Sequence, residues 1–276
     1  MNSFQKEFNF QDELTQRMLE RLHFLNLNPN SILRLGSGRC SVSNRVFKDR
    51  FPNAHIFEMD KCESSSVKLV RKSWWRRYFP FFNNSSHLVG LSEDVPFRDN
   101  SLDLLWCYSL GSSINSLEKI FSEANRVLRT GGFFTFVAFG PDTLWEIKKV
   151  LGEVQSKSVK TYAKFEDMHD IGDRLMSDSM IDPVIDMEKI VLKYSFLPRI
   201  FEDLSKIGGV FALDIEIYKE AMKIQGGLTE AEASYKKLLT ADEYFPVTLE
   251  VIYGHAWKNS EENSVNHSKV IDIKPI

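Results

Sequence analysis

The sequence predicts a doubly wound α/β fold built on a mostly parallel sheet, and three observations lead there. Short apolar runs alternate with helix-period segments over residues 31–140, which is the pattern of successive βαβ units. The run at 102–108 is apolar almost throughout, as a parallel strand buried on both faces requires. The run Ser31-Ile32-Leu33-Arg34-Leu35 ends in Gly36-Ser37-Gly38-Arg39-Cys40, and a helix is expected over 41–51. That strand–turn–helix unit is where an open sheet meets a nucleotide-type ligand.

The elements follow in order. Leu14, Met18, Leu22 and Leu25 recur at three- and four-residue spacing, so residues 12–25 predict an amphipathic helix. Asn28-Pro29-Asn30 breaks it before the first strand. A second strand is expected at 54–59, closed by Asp60, with a helix from about Glu63 and a third strand at 87–91. Asn115, with Glu118 three residues on, resembles a capping box. The helix it opens carries Leu117, Ile120, Phe121, Ala124 and Val127 on one face, and Arg129-Thr130-Gly131-Gly132 should stop it before a strand at 133–139. Beyond Gly140 the pattern loosens. Helices are expected at 142–154, 167–176, 197–207 and 229–239, paired strands or a hairpin at 183–194, and a last strand at 244–257. This second half is read as completing the sheet and forming a lid. Residues 1–258 are expected to be one domain, with 259–276 a polar tail.

Bulk properties exclude several classes. The chain of 276 residues is 43% hydrophobic and 12% aromatic, enough for a sizeable core. A net charge of −3 gives no reason to expect bulk nucleic-acid affinity. Cys40, Cys62 and Cys107 are widely spaced, without zinc-type pairing, so no metal site and a reduced, cytoplasmic setting are expected. No secretory leader is visible at the N-terminus, and the most apolar run, 133–139, is too short to span a bilayer.

The phrase Glu123-Ala124-Asn125-Arg126-Val127-Leu128-Arg129-Thr130-Gly131-Gly132 follows Val95-Pro96-Phe97 and Ser101-Leu102-Asp103-Leu104-Leu105. With the glycine turn, it resembles the class I S-adenosylmethionine-dependent methyltransferases. Further words narrow the resemblance: Arg17-Met18-Leu19-Glu20-Arg21-Leu22, Phe139-Gly140-Pro141-Asp142-Thr143-Leu144, and Asp167-Met168-His169-Asp170-Ile171-Gly172-Asp173. Asp182-Pro183-Val184-Ile185-Asp186-Met187-Glu188 and Glu250-Val251-Ile252-Tyr253-Gly254-His255-Ala256-Trp257 belong with them. Together they are similar to the malonyl-acyl-carrier-protein O-methyltransferases of biotin synthesis. The resemblance implies a class I methyltransferase-like, Rossmann-type sheet of seven strands with helices on both faces and a helical lid.

It also implies a reaction. The methyl group of S-adenosylmethionine passes to the free carboxylate of a malonyl group on acyl carrier protein, masking a charge so that fatty-acid synthase can extend the chain toward pimelate. A carboxylate is already anionic at neutral pH, so orientation can do most of the work. The resemblance places Gly36, Ser37 and Gly38 along the methionyl part of the cofactor and Leu91 and Ser92 beside the adenine. It sets Asp60 at the ribose hydroxyls, with Glu58 an alternative on the same face. No catalytic residue is assigned.

Some positions depart from the family pattern. Arg34 stands where the family has an acid, Cys40 where it has a third glycine, and Gly90-Leu91 where it has Ala-Asp. Tyr108 replaces an Asn, and Ser112-Ser113 a Gln-Trp pair. A charged hydrogen bond contributes about 1.5–3 kcal/mol, so losing two would weaken cofactor binding by roughly two to four powers of ten. Glu93 or Asp94 could replace the missing carboxylate, and Arg34 could meet the cofactor's own carboxylate. Two alternatives therefore stand beside the enzyme: a non-catalytic binding or assembly protein, and a related enzyme acting on a protein side chain. The basic-aromatic stretch at 68–79, with Arg71, Arg76 and Arg77, is either a solvated face over packed aromatics or a dock for the acidic carrier protein. His169 is a further docking candidate. Arg174, Arg199 and Lys164 are candidates to neutralise the malonyl carboxylate, and Asp142 and Thr143 are read as helix caps.

Overall fold

In the computed structural model one seven-stranded sheet runs through both halves of the chain. Residues 10–36, 41–60, 85–108, 114–154, 164–178, 180–207, 211–221, 223 and 227–259 are described. The strands are β1 (Ser31–Leu35), β2 (His55–Asp60), β3 (Ser85–Val89), β4 (Leu102–Cys107), β5 (Leu128–Phe139), β6 (Met180–Tyr194) and β7 (Phe245–Lys258). Their spatial order is β3-β2-β1-β4-β5-β7-β6. All are parallel except β7, which pairs antiparallel with both β5 and β6. The order reverses between β1 and β4, the position at which open α/β sheets form their ligand crevice.

Helices cover both faces. On one lie α1 (Phe10–Arg21), α2 (Ser41–Arg50), α4 (Trp145–Val154), α6 (Leu197–Ile207), α7 (Ala212–Ala221) and α8 (Gly227–Tyr235), packed over Ile32, Leu104, Trp106 and Val137. On the other lie α3 (Ile114–Val127) and α5 (Met168–Ser177), packed over Leu33, Leu105, Phe134 and Phe136. The apolar stripe of α3 is fully buried, and every residue of β4 is buried, as a central strand covered on both sides must be.

The differences from the sequence expectation have local causes. Asn115 lies inside α3, which begins at Ile114, so it is not the cap. The Arg129–Gly132 stretch enters β5 rather than forming a loop. Gly131 takes φ +71°, the pairing with β4 shifts register between Leu102 and Leu104, and Arg129 bonds Asp103 at 2.8 Å. Residues 183–194 belong to one fifteen-residue strand, not a hairpin, with a register shift between Ile181 and Val184. Helix α7 was not expected from periodicity; tertiary contacts hold it, with Ile217 buried and Tyr218 stacked on Phe201 at 3.5 Å between ring centroids. The helix expected from Glu63 lies outside the described residues. Gly254 sits opposite Phe136 across β5–β7, and a Cβ there would overlap the buried phenylalanine ring. No described helix is long and apolar enough to cross a membrane.

Candidate active site

The carboxyl ends of β1, β2, β3 and β4 form one edge, and short backbone bonds carry each strand's pairing one residue further. The Gly36 N–H donates to the Met59 carbonyl at 3.0 Å, that of Gly90 to Asp60 at 3.1 Å, and that of Tyr108 to Leu35 at 3.0 Å. Gly36 has φ +69°, and among the described residues no heavy atom lies within 4 Å of where a Cβ would stand. The turn thus adopts a backbone that favours glycine, with open space beside it among the described residues. Asp60 is half-buried at the end of β2, one strand away. A turn with open space beside a strand-end acid fits the adenosyl and methionyl parts of the implied cofactor. Beyond β3, Leu91 is 47% exposed and forms an isolated bridge with Asp94, while Ser92 is half-buried. Gly36, Asp60, Leu91 and Ser92 are therefore brought to one edge.

The Arg34 side chain is 0% exposed, and its guanidinium donates to Glu58 at 2.9 Å and to the Tyr108 hydroxyl at 2.6 Å. It also lies 4.5 Å from the Phe47 ring centroid of α2. The other Glu58 oxygen is 3.1 Å from Nδ1 of His87 on β3. Arg34 and Tyr108, which sequence comparison reads as two separate departures, contact each other directly. Glu58 is committed to that cluster, and Asp60 stands at the end of the same strand. Glu93 accepts a hydrogen bond from Ser116 on α3. Arg126, also on α3, grips Glu123 through Nε and Nη2 at 2.7 and 2.8 Å, and it bonds the Val95 and Phe97 carbonyls at 2.8 Å each. The loop that follows Leu91 and Ser92 is thereby pinned to the helix. The same guanidinium bonds hold the Glu123 carboxyl below its ordinary range against the opposing effect of burial.

The turn after β5 closes the other side of this edge. Glu250 of β7 accepts from the Asp142 N–H at 2.7 Å, and the Thr143 hydroxyl both donates to the Glu250 carbonyl and accepts its N–H, each at 3.1 Å. Leu144 is buried with φ +60°, a conformation that costs a non-glycine residue about 1–2 kcal/mol. Its N–H bonds the Thr248 carbonyl at 2.8 Å. Asp142 and Thr143 are therefore not the expected helix caps: Thr143 bonds β7, and the Asp142 carboxylate takes Lys189 at 2.6 Å. Above Phe139 stand Phe211, Phe165 and Phe10, at centroid distances of 4.9, 6.0 and 6.5 Å. They form an apolar roof at the end of β5. In the sequence Glu250 appears only as part of a family word, because an acid inside a late apolar strand gives no sign of its backbone partner.

The docking candidates fare differently. Ser37, Gly38, Arg71, Arg76 and Arg77 lie outside the described residues. His169 is 82% exposed at the start of α5, with Nδ1 2.6 Å from the capping carboxylate of Asp167. Arg174 bonds Glu118, and Arg199 is paired with Glu202 and Asp203 along its own helix. Lys164 is exposed.

Residues 33–136 match the family described as a methyltransferase domain. Over 254 residues the chain is 34% identical to a malonyl-acyl-carrier-protein O-methyltransferase of Gallionella capsiferriformans, covering 90% of this chain and 83% of the relative. The corresponding protein of Nitrosospira multiformis is 31% identical over 265 residues, 92% of this chain and 84% of that one. Among solved structures, the YcgJ protein of Bacillus subtilis superposes with a TM-score of 0.58 at 14% identity, covering 90% of this chain and 99% of that chain. Phosphoethanolamine N-methyltransferase 2 of Haemonchus contortus gives 0.52 at 16% identity, over 90% of this chain and 53% of that chain. At such identities these two speak for the fold alone.

Proposed function

The chain belongs to the malonyl-acyl-carrier-protein O-methyltransferase family, and from that premise we propose that it methylates the free carboxylate of a malonyl group on acyl carrier protein, in biotin synthesis. S-adenosylmethionine, when bound, supplies the electrophilic methyl group. The backbone at Gly36 and the carboxylate of Asp60 hold the cofactor, and Leu91 and Ser92 flank it. The observation that carries this reading is how the edge uses its ionisable groups. Glu58 is bound by Arg34 and His87, and the Tyr108 hydroxyl by Arg34. These groups serve as framework. A carboxylate acceptor suits such an edge, because no proton must be taken from it at neutral pH and the remaining task is orientation. The roof of Phe139, Phe165 and Phe211 gives the acceptor side an apolar wall.

The carrier protein is the partner, and its place in fatty-acid synthesis sets the reaction in the cytoplasm. Arg71, Arg76, Arg77 and the exposed His169 are its proposed contacts. Residues 1–258 act as one unit. Calorimetric titration with S-adenosylmethionine and S-adenosylhomocysteine should give saturable binding of both. Expression in a biotin-requiring strain lacking its own carrier methyltransferase should then restore growth. Absence of binding at millimolar ligand overturns the enzyme; binding without rescue overturns the acceptor.

A further inference from the structure

We infer that Arg34 is a positioning residue for the cofactor edge, acting through Glu58 and Tyr108; this rests on reading the ends of β1 and β2 as the cofactor site. Arg34 and Glu58 are register partners across β1–β2, and Glu58 and His87 are register partners across β2–β3. Tyr108 is the residue that follows β4, tied to β1 by its own N–H. The four side chains thus run Tyr108, Arg34, Glu58, His87 across four adjacent strands. The first three lie on the face that α2 covers, where Phe47 closes over the guanidinium.

Their place in the sequence gives the cluster its function. Two residues beyond Arg34, Gly36 opens the turn that follows β1, and two beyond Glu58 stands Asp60, on the same side of β2 by the two-residue period. The Arg34–Glu58 bond therefore sets the separation of the two groups assigned to the cofactor, the turn backbone and the strand-end carboxylate. The bond from Arg34 to Tyr108 adds the end of β4, so the guanidinium fixes three strand ends at once. A planar fork of five donors can do this with little residual freedom, whereas an ammonium on a flexible stem cannot. Labour is divided between the two acids of β2: Glu58 holds the framework and Asp60 meets the ligand.

The test is calorimetric titration of the full chain with S-adenosylhomocysteine, with thermal melting measured alongside. Tyr108→Phe keeps the ring and removes only the hydroxyl, one partner of the buried guanidinium; the chain should still melt cooperatively at a somewhat lower temperature, and affinity measured on the folded chain should fall about fivefold or more. Arg34→Met with Glu58→Gln removes the charges as a pair, which often leaves stability near its starting value. That double variant should melt near the unaltered chain yet bind about tenfold or more weakly. Arg34→Lys should not restore affinity. Undiminished affinity in both Tyr108→Phe and a folded double variant overturns the positioning role. If Asp60→Ala alone then abolishes binding, the site stands and only the inference about Arg34 falls. If the unaltered chain binds no cofactor, the reading of the edge falls first.

Discussion

Two clusters of arginines and carboxylates brace this sheet, one beneath β1 and β2 and one where α1 crosses β6 and β7, and they differ mainly in their access to water. In the first, the Arg34 and Glu58 side chains are 0% and 6% exposed. In the second, Arg17 bonds Glu188 at 2.7 Å and Arg21 bonds Asp186 at 2.8 Å, with Asp186 57% exposed. The Arg21 guanidinium also lies 3.8 Å from the Tyr253 ring centroid, and burial together with the neighbouring Glu188 pushes that phenol well above its ordinary value. Similar residues meet different fates if a partner is lost. Beneath β1 an abandoned charge has no solvent to turn to, while at α1 water can replace the missing carboxylate. The second cluster selects where α1 sits, and the buried Phe10, Leu14, Met18 and Leu22 hold it there. It also unites three separate sequence words, around Arg17, Asp186 and Tyr253, that carried the family resemblance without an evident role.

The largest expected effect tests the buried side of this contrast. Glu58→Gln leaves the Arg34 charge without its carboxylate and should destabilise the fold by about 3–5 kcal/mol, read from urea unfolding. A loss below about 1 kcal/mol would mean that the cluster behaves like a surface pair, and the comparison would collapse. Next comes a purely steric change between the two clusters. Gly254→Ala forces a methyl group into the Phe136 ring, at a cost of about 1–3 kcal/mol. That loss should not vary with salt, whereas any electrostatic contribution at α1 should.

Much of the fold was legible because β-strand and helix periods alternate cleanly between residues 31 and 140. The stripe of α3 and the continuous apolarity of β4 announced their burial. Boundaries were less legible where side chains act at a distance. Thr143 reads as a cap because its β7 partner lies far along the chain, and residues 183–194 read as a hairpin or paired strands because alternation alone does not give the number of strands. At the candidate site, the strand-end positions of Gly36 and Asp60 are readable in the sequence. The meaning of Arg34 and Tyr108 is not, since position 108 lies far from position 34 in the chain and only the β1–β4 pairing makes them neighbours. Arg34 and Glu58 each stand in an apolar strand, and an opposite-charge pair of that kind on adjacent strands was the available signal.

A third ionic grip, intermediate in exposure, grades the comparison by pH. The Glu123 carboxyl is held below the ordinary value of 4.5 by Arg126. Its contribution to folding is therefore complete above the unfolded-state value and is lost as pH falls through the lower folded one. Glu123→Gln should remove that share, giving a shallower fall in stability between about pH 5 and pH 3, measured by denaturant unfolding at each pH. An acid limb unchanged in slope would assign the loss to other carboxylates.

The smallest effect belongs to α1 and is the one that salt should erase. Arg21→Gln removes a partly exposed pair with Asp186 and a stacking contact with Tyr253, leaving the apolar stripe of α1 intact. The expected loss is under about 1 kcal/mol at low ionic strength. At about 1 M salt the screening length shrinks to roughly 3 Å, the ionic part vanishes, and the variant and the unaltered chain should unfold at nearly the same denaturant concentration. The Glu58→Gln loss should persist under the same conditions, because ions do not enter the space between β1, β2 and α2. If salt instead rescued Glu58→Gln as fully as Arg21→Gln, the cluster under the proposed cofactor edge would be hydrated, and its hold on Gly36 and Asp60 would be too weak to position them.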